Sequence, residues 1–242
     1  MRQLIVNADD FGLSPGVSTG IIEAHEHGIV SSASLMVLQE GAEAAAHYAR
    51  ATPSLGVGLH IDVAEWRFDD GQWIALYERV DGSDAVAVET EVERQLARFQ
   101  ELVGSDPDHL DSHQHVHRQD PLLGVLQRLS HRLGVPLRRD GAVHFCGAFY
   151  GQSDQGDPLH QLLSVERLLA LLDELAPGCT ELACHPGRVA ADDPLGGTMY
   201  RSERNIELRT LCDPRVRRHL AHRDIALRRF ADGPLPRLQA AG

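Results

Sequence analysis

Basic residues are scarce in this chain: 23 Lys and Arg stand against 35 Asp and Glu, for a formal net charge of −12 and a pI near 5.5. Nucleic acid and anionic membrane surfaces select for basic patches, so neither is expected as a partner. Cysteine is also sparse. Cys146, Cys179, Cys184 and Cys212 form no C-x-x-C pair and no dense framework, which predicts reduced, mostly buried thiols and a cytoplasmic setting. No stretch approaches the roughly 20 apolar residues needed to span a bilayer, so membrane insertion is not expected. The opening MRQLIVNADDFG reaches two aspartates too early for a signal peptide. That predicts a mature chain beginning at Met1 and staying inside the cell. Repeats, low-complexity tracts and linker-like composition are missing too. With 242 residues and 43% hydrophobic content, a single domain over residues 1–242 is the natural expectation.

What is present is a legible alternation of strand and helix signals. Leu4 to Asn7 reads as a buried strand, and Ser14 with Pro15 supplies a cap and first-turn proline for a helix that stops at Gly28. Ser34–Leu38, Leu55–Ile61, His109–His113, Val135–Leu137, Glu181–Cys184 and Ile225–Leu227 read as further strands. Helices are expected over Ala42–Arg50, Val88–Val103, Asp120–Leu133, Ser164–Ala176, Glu203–Leu211 and Pro214–His222. Residues between His60 and Val88, with Trp66 and Trp73, read as a short polar stretch. Residues 139–163, rich in glycine, read as a long loop or hairpin lining a substrate site. The arginines of 215–229 read as a solvated helix face. Repeated β-α alternation implies an α/β fold built on a parallel sheet, with about seven mostly parallel strands suiting a distorted barrel.

In parallel α/β architectures functional side chains gather at the carboxyl ends of strands. Polar residues that interrupt apolar strands here fall at such ends: Asp9 and Asp10 after LIVNA, His60 after GVGL, His113 within HLDSHQHVH, and His185 after ELAC. Two adjacent carboxylates cannot both ionise cheaply in a closed site without a cation or a shared proton. One carboxylate on a metal and one acting as base would resolve that conflict, although either aspartate could instead cap the following turn. In HLDSHQHVH, His109, Asp111, His113, His115 and His117 alternate, so an extended chain would turn them to one face; a solvated His-rich loop is the plainer alternative. Asp10, His60 and His113 together make an Asp/His/His set that leaves a position open, the arrangement a catalytic divalent metal requires.

The segments ADDFGLSPGVSTGIIEAH, GVGLHIDV, HLDSHQHVH and ELACHPG, in this order and spacing, resemble the YdjC-like carbohydrate deacetylases, the group that includes chitooligosaccharide and hopanoid-associated deacetylases. The resemblance runs from Leu4 to about Leu227. It implies a distorted TIM-like barrel related to polysaccharide deacetylases, one divalent metal ion, and removal of acetyl groups from N-acetylated sugars. Carried over by motif, Asp10, His60 and His113 would hold the metal, Asp9 would be general base and His185 general acid. Asp111, His115, His117 and Arg188 would support the ligands or contact the substrate, while His109 would be structural. Two imidazoles and a carboxylate suit zinc, nickel or cobalt by softness. Zinc is favoured, and the resemblance also permits magnesium or another divalent ion. The expected substrate is a small acetylated sugar: a short chitooligosaccharide, a glycoconjugate or a natural-product intermediate. Few residues separate His60 from Val88, so a reduced substrate cap is expected. Oligomeric state stays open, a homodimer included. Two rivals remain: a metal-dependent phosphoesterase or ring amidohydrolase, and a non-catalytic sugar-binding protein.

Overall fold

A computed structural model describes residues 1–141, 143–190, 193, 195 and 197–233. Its centre is β1 (Arg2–Phe11), flanked by β2 (Ser32–Leu35) and β8 (Gly178–Cys184). Beyond β2 lie β3 (Gly56–Ile61) and β6 (Leu110–Ser112), and beyond β8 lies the short β7 (His144–Cys146). A last strand, β9 (Ile225–Leu227), pairs with the first residues of β1, so the seven strands run β6-β3-β2-β1-β8-β7 with β9 beside β1. Every pairing in this sheet is parallel. The helices α1 (Pro15–Glu26), α2 (Ala42–Ala51), α3 (Ala85–Val103), α4 (Leu122–Leu133), α5 (Val165–Asp173), α6 (Ser202–Leu211) and α7 (Pro214–His222) account for the expected alternation. Val135–Leu137, expected as a strand, is reduced to a single parallel bridge from Leu137 to Leu110. The Leu137 bridge therefore stands at the β6 edge, while β7 pairs with β8 at the opposite edge. The result is a curled, incompletely closed barrel.

The period of two along the strands sorts the interior from the helix-facing side. Leu4, Val6 and Ala8 of β1 join the large core beneath the helices, whereas Ile5 packs with Cys179 and Phe230 at the opposite, amino-terminal end of the barrel interior. Above that apolar plug the interior is polar. Asn7, Asp9, Ser34, His109, Asp111 and Glu181 are all buried there and joined by hydrogen bonds. Gly58 makes room for this network: a Cβ on it would come within 2.4 Å of the His109 ring.

The stretch read as merely polar is in fact an antiparallel hairpin, β4 (Ala64–Asp69) and β5 (Gln72–Glu78), outside the main sheet. Its two-residue turn is Asp70-Gly71, with φ of +44° and +78°, the left-handed geometry that such tight hairpin turns require. Residues 139–163, expected as a long loop or hairpin, include the short β7 and a 3-10 turn at His160–Leu163; residue 142 lies outside the described residues. All four cysteines are free thiols. Among the described residues no helix is long and apolar enough to cross a membrane.

Candidate metal centre and cleft

Strict alternation would turn Asp9 and Asp10 to opposite sides of β1. The structure avoids this with a register shift between Ala8 and Phe11 and a left-handed Asp10, φ +67°, so that both carboxylates reach the same end of the barrel. His60 stands near the end of β3, and His113 directly follows β6. Asp10 Oδ1 lies 3.0 Å from His113 Nδ1 and 3.4 Å from His60 Nε2, and all three side chains are buried. A metal-ligand grouping of Asp10, His60 and His113 is therefore assembled, with one donor atom from each within 4.8 Å of the others.

These residues fit a divalent cation. His60 Nδ1 lies 2.7 Å from Asp111 Oδ1, which keeps a proton on that nitrogen and leaves Nε2 as the one that would exchange its proton for a cation. Nε2 is buried and has no hydrogen-bond partner among the described residues. The pattern of a carboxylate holding the far nitrogen of an imidazole ligand is the usual support for a metal site. His113 has a similar brace, its Nε2 hydrogen-bonded to Glu65 of β4. Burial works against charge on His60, yet Asp111, Asp10 and Asp9 outweigh it and push the imidazole up to about 9; His113 is raised likewise by Glu65 and Asp10. A potential that holds protons so firmly is one that favours a bound cation.

Asp9 is not a free carboxylate. Arg138, from the chain after α4, donates NH1 to Asp9 Oδ2 and NH2 to Asp9 Oδ1, each at 2.7 Å, and also reaches Asp111 Oδ2 and Glu181 Oε1 at 2.7 Å. Burial would raise the Asp9 carboxyl, but the guanidinium prevails and holds it below the usual range. One cation shared three ways cannot do this for all: Glu181 stays raised, because its burial outweighs its share of Arg138. Arg204 of α6 plays the corresponding part for Asp10, with NH2 2.7 Å from Oδ2. Against burial, Arg204 and His113 hold Asp10 well below the usual range.

His185 follows β8 with Nε2 3.8 Å from Asp9 Oδ2 and Nδ1 3.9 Å from Glu207 Oε1. Glu207 accepts its backbone N–H and the Tyr200 hydroxyl, so the imidazole is anchored through the main chain. Burial brings His185 down to about 4, which makes it a neutral imidazole at pH 7.

Asp9, Asp10, His60, His113 and His185 line the floor of a cleft of about 810 Å³. Of the remaining sequence candidates, His115 lines the cleft, Asp111 braces His60, and His117 is buried against the Ser112 hydroxyl, away from the cleft lining. His109 sits deep in the barrel, bonded to Asp108 and Ser34 and stacked on Phe230 at 4.1 Å. Arg188 is not brought to the cleft. Its N–H donates to Gly16 O at 2.9 Å, and its side chain turns outward to an ion pair with Glu23 on α1. The residues that sequence reasoning missed are Glu65, Arg138, Arg204 and Glu207, whose only signal was charge inside otherwise ordinary segments.

A family model described as YdjC-like protein matches residues 3–222. A carbohydrate deacetylase of Geobacillus stearothermophilus is 36% identical over 93% of this chain and 96% of its own length. A chitooligosaccharide deacetylase of Serratia marcescens is 33% identical over 96% of this chain and 99% of its own. An Enterococcus faecalis crystal structure, of a protein named for cellobiose-phosphate cleavage, superposes with a TM-score of 0.76 at 26% identity, covering 95% of this chain and 97% of that one. A family 4 acetyl xylan esterase of Clostridium thermocellum, solved with a cobalt ion, shares the fold at a TM-score of 0.51 and 10% identity, covering 96% and 89%.

Proposed function

The chain belongs to the YdjC-like family, and from that premise we propose that it is a metal-dependent hydrolase removing the acetyl group from an N-acetylated amino sugar. The observation that carries this is the buried His60 Nε2, without a hydrogen-bond partner among the described residues, facing Asp10 and His113 on the cleft floor, with Asp9 and His185 alongside. The names of the relatives, carbohydrate and chitooligosaccharide deacetylases, support the substrate class.

Asp10, His60 and His113 would hold a divalent ion, zinc by preference of the donor set, which when bound polarises the acetyl carbonyl and acidifies water. Asp111 and Glu65 keep the two imidazoles in the ligating tautomer and orientation. Asp9, held rigid by Arg138, orients the attacking water and accepts its proton. A carboxylate kept acidic by a guanidinium does not retain a proton well, and His185 Nε2 lies 3.8 Å away as a neutral acceptor. His185 thereby becomes the acid that delivers this proton to the departing amine, as amide cleavage at neutral pH requires. The C–N bond breaks, the acetyl carbon gains the water oxygen, and the products are acetate and a free amino sugar. His115, which lines the cleft, would meet sugar hydroxyls.

The test is acetate release from N-acetylglucosamine compounds by the protein as isolated, after chelation, and after restoring zinc, cobalt or magnesium. Acetate that disappears on chelation and returns with a divalent ion supports the reading. Turnover of a phosphate ester with no acetate from any sugar would refute it.

A further inference from the structure

The arginines of residues 215–229, read from the sequence as a solvated helix face, are divided by the structure. Six arginines and a single aspartate fall in this segment of a chain whose net charge is −12. Arg215 pairs with Asp213 and Glu166, and Arg223 with Asp173, so these two are neutralised at the surface. Arg218 reaches only the Pro214 carbonyl of its own helix. Arg217 of α7, together with Arg228 and Arg229 just beyond β9, instead converges on a cavity of about 550 Å³. The rest of its wall comes from the end of α1 and from the segments leading into β2 and β3, among them Val30, Pro53 and Ser54. Because β9 pairs with the first residues of β1, this cavity lies at the amino-terminal end of the barrel, away from the metal centre at the other.

Charge in the cavity is not balanced. Arg229 is paired with Asp232, its Nε donating to Oδ1 at 2.8 Å. Arg217 and Arg228 face no carboxylate among the described residues, and their acceptors are neutral oxygens. Arg217 NH2 donates to the Gly28 carbonyl; Arg228 NH1 donates to Gln3 Oε1 at 2.8 Å, and its NH2 to the Asp232 and Gly233 carbonyls at 3.0 and 3.2 Å. Such acceptors satisfy N–H groups without cancelling charge, so two guanidinium charges remain on one concave wall. Their placement is fixed before any ligand arrives. The Arg228 N–H donates to Leu4 O at 2.9 Å, and its carbonyl accepts the Ser31 hydroxyl at 2.8 Å. Arg217 commits only one of its five N–H groups among the described residues, and its side chain is exposed. Two monovalent cations on one wall match a dianion, and the planar guanidinium fork matches phosphate oxygens in particular. Beside them Leu227, 40% exposed, and Pro53 offer apolar surface to whatever organic group the phosphate carries.

We propose that this cavity is a binding site for a small soluble phosphate monoester, remote from the metal centre, with Arg217 and Arg228 on the phosphate and Leu227 against the ester group. It stands independently of the deacetylase reading.

Calorimetric titration of the metal-loaded protein with inorganic phosphate and with phenyl phosphate, repeated after chelation, separates this site from anion binding at the metal. Both probes should bind with and without metal, phenyl phosphate the more tightly because its ring covers Leu227. Arg217→Met removes a charge-assisted partner and should weaken both about 10–100-fold. Arg217→Lys, which keeps the charge but loses the fork, should fall between. Arg218→Met, the neighbour on the same helix, should leave both affinities unchanged. No binding of either probe, binding that vanishes on chelation, no advantage for phenyl phosphate, full affinity in Arg217→Met, or an equal loss in Arg218→Met would each overturn the proposal. Co-sedimentation with phosphatidylglycerol vesicles that is lost in Arg217→Met would also overturn it, by assigning these arginines to a lipid headgroup.

Discussion

Removing the Arg138 guanidinium exposes the barrel's main electrostatic debt. The group is 4% exposed and makes contacts of 2.7 Å with Asp9, Asp111 and Glu181. Arg138→Met keeps much of the volume but takes the guanidinium from three buried carboxylates, of which Asp111 alone keeps a cationic partner at 2.7 Å, His60. Breaking a single buried pair costs about 3–5 kcal/mol, chiefly because a charge is stranded. With Asp9 and Glu181 both stranded the loss at pH 7 should be at least that, a large share of the roughly 5–15 kcal/mol that holds a domain together. Urea denaturation followed by circular dichroism gives the number. Two further variants separate charge from packing. Arg138→Lys restores a point charge without the fork and should recover only part of the loss. Arg138→Met combined with Glu181→Gln removes one stranded carboxylate and should be more stable than Arg138→Met alone, with a coupling of about 0.5–3 kcal/mol. A loss under about 1 kcal/mol in Arg138→Met, or strict additivity in the double variant, would refute the reasoning that this cation holds the interior together.

Glu207 gives a pH signature. Burial, the largest influence, raises its carboxyl from 4.5 to about 8, so the folded state keeps a proton that the unfolded chain releases. Its contribution is fully present below about pH 4.5 and is lost as pH rises towards 8, a span worth on the order of 5 kcal/mol. Glu207→Gln cannot titrate, so its thermal midpoint should vary less with pH between 5 and 8 than that of the parent; equal slopes would contradict the assignment. Asp111→Asn weakens the hold on His60 Nδ1 and should lower zinc affinity about 10–100-fold, measured by competition with a chromogenic chelator. An unchanged affinity would remove Asp111 from the account.

Much of the floor of the site was legible because strand ends are marked by polar residues breaking apolar runs. Asp9, Asp10, His60, His113 and His185 were found that way, and they do gather at one end of the sheet. Alternation in HLDSHQHVH holds through His113, all of its inward residues being buried, and fails where Gln114 and His115 turn left-handed at φ +49° and +55°. The hairpin was missed although its Asp70-Gly71 turn is a strong local signal, because the flanking residues mix charge and aromatics and read as a polar stretch. Arg138, Arg204, Glu65 and Glu207 were invisible for another reason. Each acts by pairing with a residue 48 to 194 positions away or, for Glu207, 22 positions away, and one sequence holds no record of such pairings.

The division of labour between the two adjacent aspartates and His60 is best tested by assaying acetate release and bound metal on the same samples of Asp9→Asn and His60→Ala. Asp9→Asn should keep its metal and lose acetate release, and His60→Ala should lose both, as expected if Asp10, His60 and His113 hold the ion and Asp9 is the base. Metal lost from Asp9→Asn, or metal retained by His60→Ala, would contradict it.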